Sequence, residues 1–261
     1  MKKMKYVEVD HFKVAYQEAG QGDVLLLIHG FCGSSGYWDN VISELAKDNR
    51  VIAIDLPGHG KSAVQDNVNE IKEYATLMKN FLDTLEIDKV TMLGHSLGGY
   101  ITLAFADKYA NRLNGFSLIH STAFPDSEEG KKGRSAAIEK IDSEGIEPFI
   151  EGLVPKLFSP TNIKSHEKEV DEAIKIGYMT SPSGAKSALS AMKNRNDLRK
   201  VLDDTSVPVL LLAGEDDQLI SPERTFTATG DNIKQVVLPG VGHMSMYEAP
   251  KQLIDTIRSF V

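Results

Sequence analysis

The sequence predicts an α/β protein: a doubly wound, mostly parallel sheet with a block of helices inserted late in the chain. Three observations carry this expectation. Predominantly apolar segments of strand length recur at 24–28, 51–54, 90–93, 113–119 and 207–213, the first of them continuous, as strands buried on both faces require. Amphipathic helical patterns alternate with these runs, the arrangement that builds parallel sheets through crossover connections. Between about Pro125 and Asp204 the alternation stops, and only helical periodicity is left.

Taken in order, residues 4–19 alternate as two antiparallel strands around an Asp10-His11 turn. The run 24–28 ends in the glycine- and serine-rich loop His29-Gly30-Phe31-Cys32-Gly33-Ser34-Ser35-Gly36. A helix follows with Val41, Ile42, Leu45 and Ala46 on one face, then the strand 51–54 and the loop Asp55 to Ser62. Ile71, Tyr74, Ala75, Met78, Leu82 and Leu85 sit at helical spacing. After the strands at 90 and 113, the charged, glycine-containing run Glu128 to Arg134 opens the inserted stretch. Short amphipathic helices follow around Ile138, Phe149, Val170 and Ala185, punctuated by Ser159-Pro160 and Ser181-Pro182. Strands at 207–213 and 235–238 resume the sheet, with helices from Pro222 and around Leu253, Ile254 and Ile257. The division expected is a core of residues 1–124 and 205–261 carrying a helical cap of residues 125–204.

Composition narrows the function. At 261 residues and 41% hydrophobic content the chain can bury a sizeable core. A net charge of −8 argues against nucleic acid or an anionic membrane as partner. Cys32 is the single cysteine, so no internal disulfide forms. The basic start Met1 to Lys5 is interrupted by Glu8 and Asp10 where a signal peptide needs an apolar stretch. No apolar run approaches the ~20 residues that span a bilayer. A cytoplasmic protein, monomeric or homodimeric, is expected.

The chemistry centres on Gly94-His95-Ser96-Leu97-Gly98, a G-x-S-x-G turn between an apolar strand and a helical pattern. Reversing a strand directly into a helix strains the backbone at the serine, so residues two positions either side must lack bulk. A serine hydroxyl needs a base, and the base needs an orienting carboxylate. After the run ending at Ala213 come Gly214-Glu215-Asp216-Asp217, and after the last strand Gly240-Val241-Gly242-His243. Serine, acid, histidine is the order this topology uses. The three acids are left open by spacing alone. Metal and nucleotide chemistry find no support. No Cys/His cluster has ligand spacing, and Gly58-His59-Gly60-Lys61-Ser62 lacks the first glycine of a phosphate loop.

In these five loops the chain resembles the α/β-hydrolase fold superfamily, in the serine-nucleophile, esterase-like branch with a helical cap. His29-Gly30-Phe31 resembles its oxyanion loop, Asp55 to Ser62 its D-x-x-G-x-G-x-S segment, and Gly94 to Gly98 its nucleophile elbow. Gly214-x-x-Asp217 resembles the acid loop and Gly242-His243 the histidine loop. The resemblance implies a triad of Ser96, Asp217 and His243, with Glu215 and Asp216 as solvated loop acids. It implies backbone donors at Phe31 and Leu97 for the oxyanion hole. No cofactor and no metal are implied, and the partner expected is a small-molecule ester, cleaved through an acyl-serine intermediate.

Among the other histidines, His29 and His59 read as structural, His11 as a turn residue, His166 as solvated and His95 as packing. His120 is expected to border the pocket. Phe124, Leu153, Phe158, Met179, Ile220 and Met244 are candidates for an apolar substrate pocket. Alternatives on the same scaffold are a C–C hydrolase, a perhydrolase, or a receptor with vestigial hydrolysis. The loop His29 to Ser35 with Trp38 also resembles the menaquinone-pathway lyases, although their basic substrate-binding pattern is not recognised in the insertion. Ser96 excludes an aspartate-nucleophile dehalogenase or epoxide hydrolase.

Overall fold

The computed structural model describes residues 4–65 and 68–261, so the basic start at Met1 to Lys3 lies outside the described residues. Eight strands form one sheet: β1 (Lys5–Val9), β2 (Phe12–Ala19), β3 (Val24–Ile28), β4 (Arg50–Ile54), β5 (Val90–His95), β6 (Leu113–Ile119), β7 (Val209–Gly214) and β8 (Ile233–Leu238). Their order is β1-β2-β4-β3-β5-β6-β7-β8. The hairpin β1–β2 and the pair β2–β4 are antiparallel, and every pair from β4 to β8 is parallel. Asp10 and His11 turn the hairpin with φ of 50° and 66°, a left-handed pair that matches the twist of the strands.

The apolar character of these strands has the expected cause. Leu26, Ile52, Met92, Leu118 and Leu211, one from each strand β3 to β7, have no exposed surface. Such strands have no solvent face to carry a polar alternation. Helices α1 (Asp39–Leu45), α2 (Ile71–Thr84) and α3 (Leu97–Tyr109) link the first parallel strands. A capping box between Glu70 and Glu73 starts α2, whose Ile71, Tyr74, Ala75, Met78 and Leu82 are buried as the spacing predicts. α3 runs beside β5 and β6 and is buried on all sides from Leu97 to Ala106, where Thr102 is the one polar side chain.

Between β6 and β7 lie α4 (Glu128–Glu144), α5 (Ile146–Leu153), α6 (Glu167–Gly177), α7 (Pro182–Lys193) and α8 (Arg199–Asp204), with no strand among the described residues there. The charged run Glu128 to Arg134 forms the first turns of α4. Ser127 Oγ caps it by accepting from Gly130 N–H at 3.1 Å, so Gly130 and Gly133 do not break the helix. Three short helices complete the chain: α9 (Pro222–Thr225), α10 (Ser245–Glu248) and α11 (Pro250–Arg258). α8 and α10 were not expected, being too short to show a period. No helix of the described residues is long and apolar enough to cross a membrane.

Candidate active site

The carboxyl ends of β3, β5, β6 and β7 meet at one place, and each loop leaving them contributes to it. Ser96 stands between β5 and α3 with φ of 50° and ψ of −111°. A Cβ at Gly94 would collide with the Gly98 carbonyl, and one at Gly98 with the Ile28 carbonyl. The glycines are therefore required by the approach of three backbones. Main-chain bonds hold the serine. Its N–H donates to Ile119 O at 2.9 Å, and its carbonyl accepts from Gly99 N–H at 2.9 Å and Ser121 Oγ at 2.8 Å.

Asp217 is buried at the end of β7. Its Oδ1 accepts from Leu219 N–H at 2.9 Å and Ile220 N–H at 3.0 Å. Its Oδ2 accepts from His243 Nδ1 at 2.7 Å. Burial pushes the Asp217 carboxyl up, but the charge of His243 and the close approach of His120 and His243 outweigh it. The net effect holds the group well below the usual carboxylate range, so it is ionised. His243 then has one tautomer fixed, with the proton on Nδ1. Its buried Nε2 has no hydrogen-bond partner among the described residues, and His243 lines the same cavity as Ser96.

The remaining acids and histidines are more engaged than the sequence implied. Asp216 is not a solvated loop acid: it is half-buried, and its Oδ2 accepts from Ser159 Oγ of the insertion at 2.7 Å. Exposed Glu215 accepts from Gly240 N–H at 2.9 Å. His95 does more than pack. Its Nε2 donates to the His243 carbonyl at 2.9 Å, tying the serine turn to the histidine loop, and its ring borders the cavity. His120, fully buried, places Nδ1 3.4 Å from Asp217 Oδ2. Burial lowers its pKa, with Asp217 opposing. Among the described residues, His120, Asp217 and His243 are also the group whose donor atoms lie close enough together, within 4.8 Å, to suit a metal ion. The 2.7 Å gap between His243 and Asp217 is that of a hydrogen bond filled by a proton.

His29 and His59 are structural. His29 Nδ1 donates to Gly30 O at 2.7 Å, and its Nε2 accepts from Leu56 N–H at 2.9 Å. His59 Nδ1 donates to Pro57 O at 2.9 Å. Asp55, also buried, accepts from Ser35 N–H at 2.6 Å and Lys61 N–H at 2.8 Å. It thereby pins the loop carrying Phe31 to the end of β4. Glu248 gathers donors from two segments. Its Oε1 accepts from Gly242 N–H at 3.0 Å and Met244 N–H at 3.2 Å. Its Oε2 accepts from Ser159 N–H at 2.8 Å and Asn162 Nδ2 at 2.9 Å. His243 N–H adds a bond to Leu157 O at 2.7 Å.

The cavity over Ser96 measures about 340 Å³, enough for a small or medium ligand. Phe31, Leu153 and Ile220 line it. Four pocket candidates do not. Phe124 lies in a neighbouring depression, its ring covered by Arg199 and Arg224. Phe158 is fully buried against Tyr247. Met244 is buried in the core, and Met179 is 43% exposed on the surface. Tyr100, Leu157, Met192 and Leu219 take their places. Tyr100 could have been found, one helical turn after Ser96 on α3. Which residues the insertion would contribute could not, since periodicity does not orient one helix against another.

Fold and site together define an α/β hydrolase. The chain belongs to the alpha/beta hydrolase fold family, whose profile matches residues 23–250. A thermophilic esterase from Thermogutta terrifontis, solved with malate bound, is 30% identical with a TM-score of 0.92, over 98% of this chain and 97% of that one. The 2-(acetamidomethylene)succinate hydrolase of Mesorhizobium japonicum is 24% identical over 98% of this chain and 94% of that protein. A dihydrolipoyllysine-residue acetyltransferase component of the acetoin cleaving system of Pseudomonas putida is 30% identical over 94% of this chain, which spans 65% of that protein's length.

Proposed function

We propose that the protein is a serine hydrolase that cleaves carboxylic esters through an acyl-serine intermediate. The observation that carries this reading is His243, fixed by Asp217 through Nδ1, with Nε2 left unpartnered among the described residues and the residue lining one cavity with Ser96. In the reaction proposed, Ser96 Oγ attacks the ester carbonyl as His243 Nε2 takes its proton, then returns it to the departing alcohol. Water releases the acyl group by the same steps. Asp217 stays ionised throughout, stabilising the imidazolium. Serine and base tighten into contact when substrate is bound, as apo sites commonly do.

The oxyanion of the tetrahedral intermediate is assigned to the N–H groups of Phe31 and Leu97. Leu97 opens α3, where the N–H has no intrahelical acceptor and the helix dipole is positive. Neither N–H donates to a protein acceptor among the described residues. The helices between β6 and β7 serve as the cap that closes the cavity. The esterase among the similar structures is consistent with this activity. A nitrophenyl ester should give a burst of nitrophenolate at one equivalent of protein, abolished by Ser96→Ala. Undiminished hydrolysis by that variant would overturn the reading.

A further inference from the structure

The cavity over Ser96 carries a charge opposite to that of the chain. The protein is −8 overall, yet three arginines, Arg134, Arg195 and Arg224, line this cavity against one acidic residue, Asp126. Asp126 is largely buried and is shared between two of them. Its Oδ2 lies 3.1 Å from Arg134 Nε, and its Oδ1 lies 2.7 Å from Arg195 Nη1.

The three arginines are not equivalent. Arg195 is the most engaged: Nε donates to Phe124 O at 3.0 Å, Nη1 donates to Met192 O at 2.8 Å, and the group lies 4.2 Å from the Tyr100 ring centroid. Arg134 is half-buried and held through Nε alone, which leaves its terminal nitrogens unassigned. Arg224 is exposed and its guanidinium lies 5.2 Å from the Phe124 ring centroid at the edge of the cavity, with no ion pair and no side-chain hydrogen bond among the described residues. Its carbonyl accepts from Thr122 Oγ1 at 2.6 Å, which fixes the residue at the cavity wall. The start of α4, at Ser127 and Gly130, lines the same cavity and brings the positive end of a 17-residue helix with it. Planar guanidinium groups with unfilled donors match a carboxylate in geometry as well as charge.

Resting on the serine hydrolase reading, we propose that the substrate is an ester that also bears a free carboxylate, held by Arg224 and Arg134. Asp126 and Arg195 are the positioning pair: Arg195 anchors Asp126, and Asp126 orients Arg134 toward the cavity. The single carboxylate of Asp126 leaves this wall short of negative charge, and the ligand supplies it. The apolar residues Leu153, Leu157 and Met192 accommodate the carbon chain between the two ends.

The test separates recognition from turnover. Ser96→Ala protein, which holds an ester uncleaved, is titrated by calorimetry with monomethyl glutarate and its neutral counterpart dimethyl glutarate. A second pair, acetoxyacetate and methyl acetoxyacetate, places the charge on the alcohol side instead. At least one anion should bind about tenfold or more tightly than its neutral partner, the scale of one charge-assisted hydrogen bond. That ratio should collapse toward one in Arg224→Gln and Arg134→Gln and recover in part in Arg224→Lys, each variant checked for an unchanged melting profile. Equal or undetectable binding of charged and neutral partners would overturn the proposal. Wild-type turnover of the same esters then judges the underlying reading. A charge preference in binding without hydrolysis keeps the anion site and removes the hydrolase, whereas hydrolysis without preference does the reverse.

Discussion

The strand-end loops and the helical insertion face one cavity but are held by different means. Ser96, Asp217 and His243 are fixed by main-chain partners: Ile119 O, the N–H groups of Leu219 and Ile220, and Leu157 O. The wall at Asp126, Arg134 and Arg195 is joined by side-chain ion pairs, with Arg195 also tied to the Phe124 and Met192 carbonyls. Backbone bonds survive most substitutions, whereas ion pairs disappear with a single one. On the proposed reading, reactive geometry is built into the sheet and selectivity is left to exchangeable side chains.

The largest effect should come from disabling a loop residue without moving it. Asp217→Asn should keep the fold and lower kcat on a nitrophenyl ester by roughly 10⁴, through the wrong tautomer of His243. A loss under tenfold would move the orienting role elsewhere, with His120 the nearest group.

Acid should damage the core loops next. Burial lowers His29 from 6.5 to about 4 and His59 from 6.5 to about 3. Both folded-state values lie below the unfolded one, so as pH falls through 6.5 the unfolded chain gains protons that the folded chain refuses. Stability should fall by about 2 kcal/mol per pH unit between 6 and 4 for the two together. His95 shifts the same way. Asp217, also lowered, withdraws its contribution only as pH falls below the unfolded carboxylate range, near 3.9. Urea midpoints at pH 7, 6 and 5 check the sign.

Glu248→Gln tests the seam between the two regions. It replaces an acceptor of four donors with an amide that can accept at one atom only, and should cost about 2 kcal/mol of stability. The kcat should fall with it, because Gly242 and Met244 flank His243. The smallest effect belongs to Asp216→Asn, which loosens Ser159 for about 1 kcal/mol and leaves kcat within a few-fold. A dead Asp216→Asn beside an active Asp217→Asn would exchange the two roles.

Local sterics made the sheet and its loops readable in advance. Apolar runs announce strands covered on both faces, and Gly94 and Gly98 announce a backbone crossing that no side chain tolerates. Asp217 was separable from its neighbours only by family resemblance, because three acids in succession share one loop. The insertion was readable as helical and no further. Leu153 and Met192 reach the cavity while Phe158 and Met179 miss it, a matter of how helices pack on one another. Asp126, Arg134, Arg195 and Arg224 are spread over 99 positions, and only the folded chain brings them to one wall.

The four bonds on Glu248 and the bond from His243 to Leu157 have a consequence for movement. Residues 157–162 and the histidine loop form one body, so no hinge can lie between them. If the insertion acts as a cap, its opening is expected at the other side of the cavity, where α4 begins. Hydrogen exchange should show it: the amides of Ser159, Gly242 and His243 released together in one slow event, and the first turns of α4 exchanging earlier and on their own.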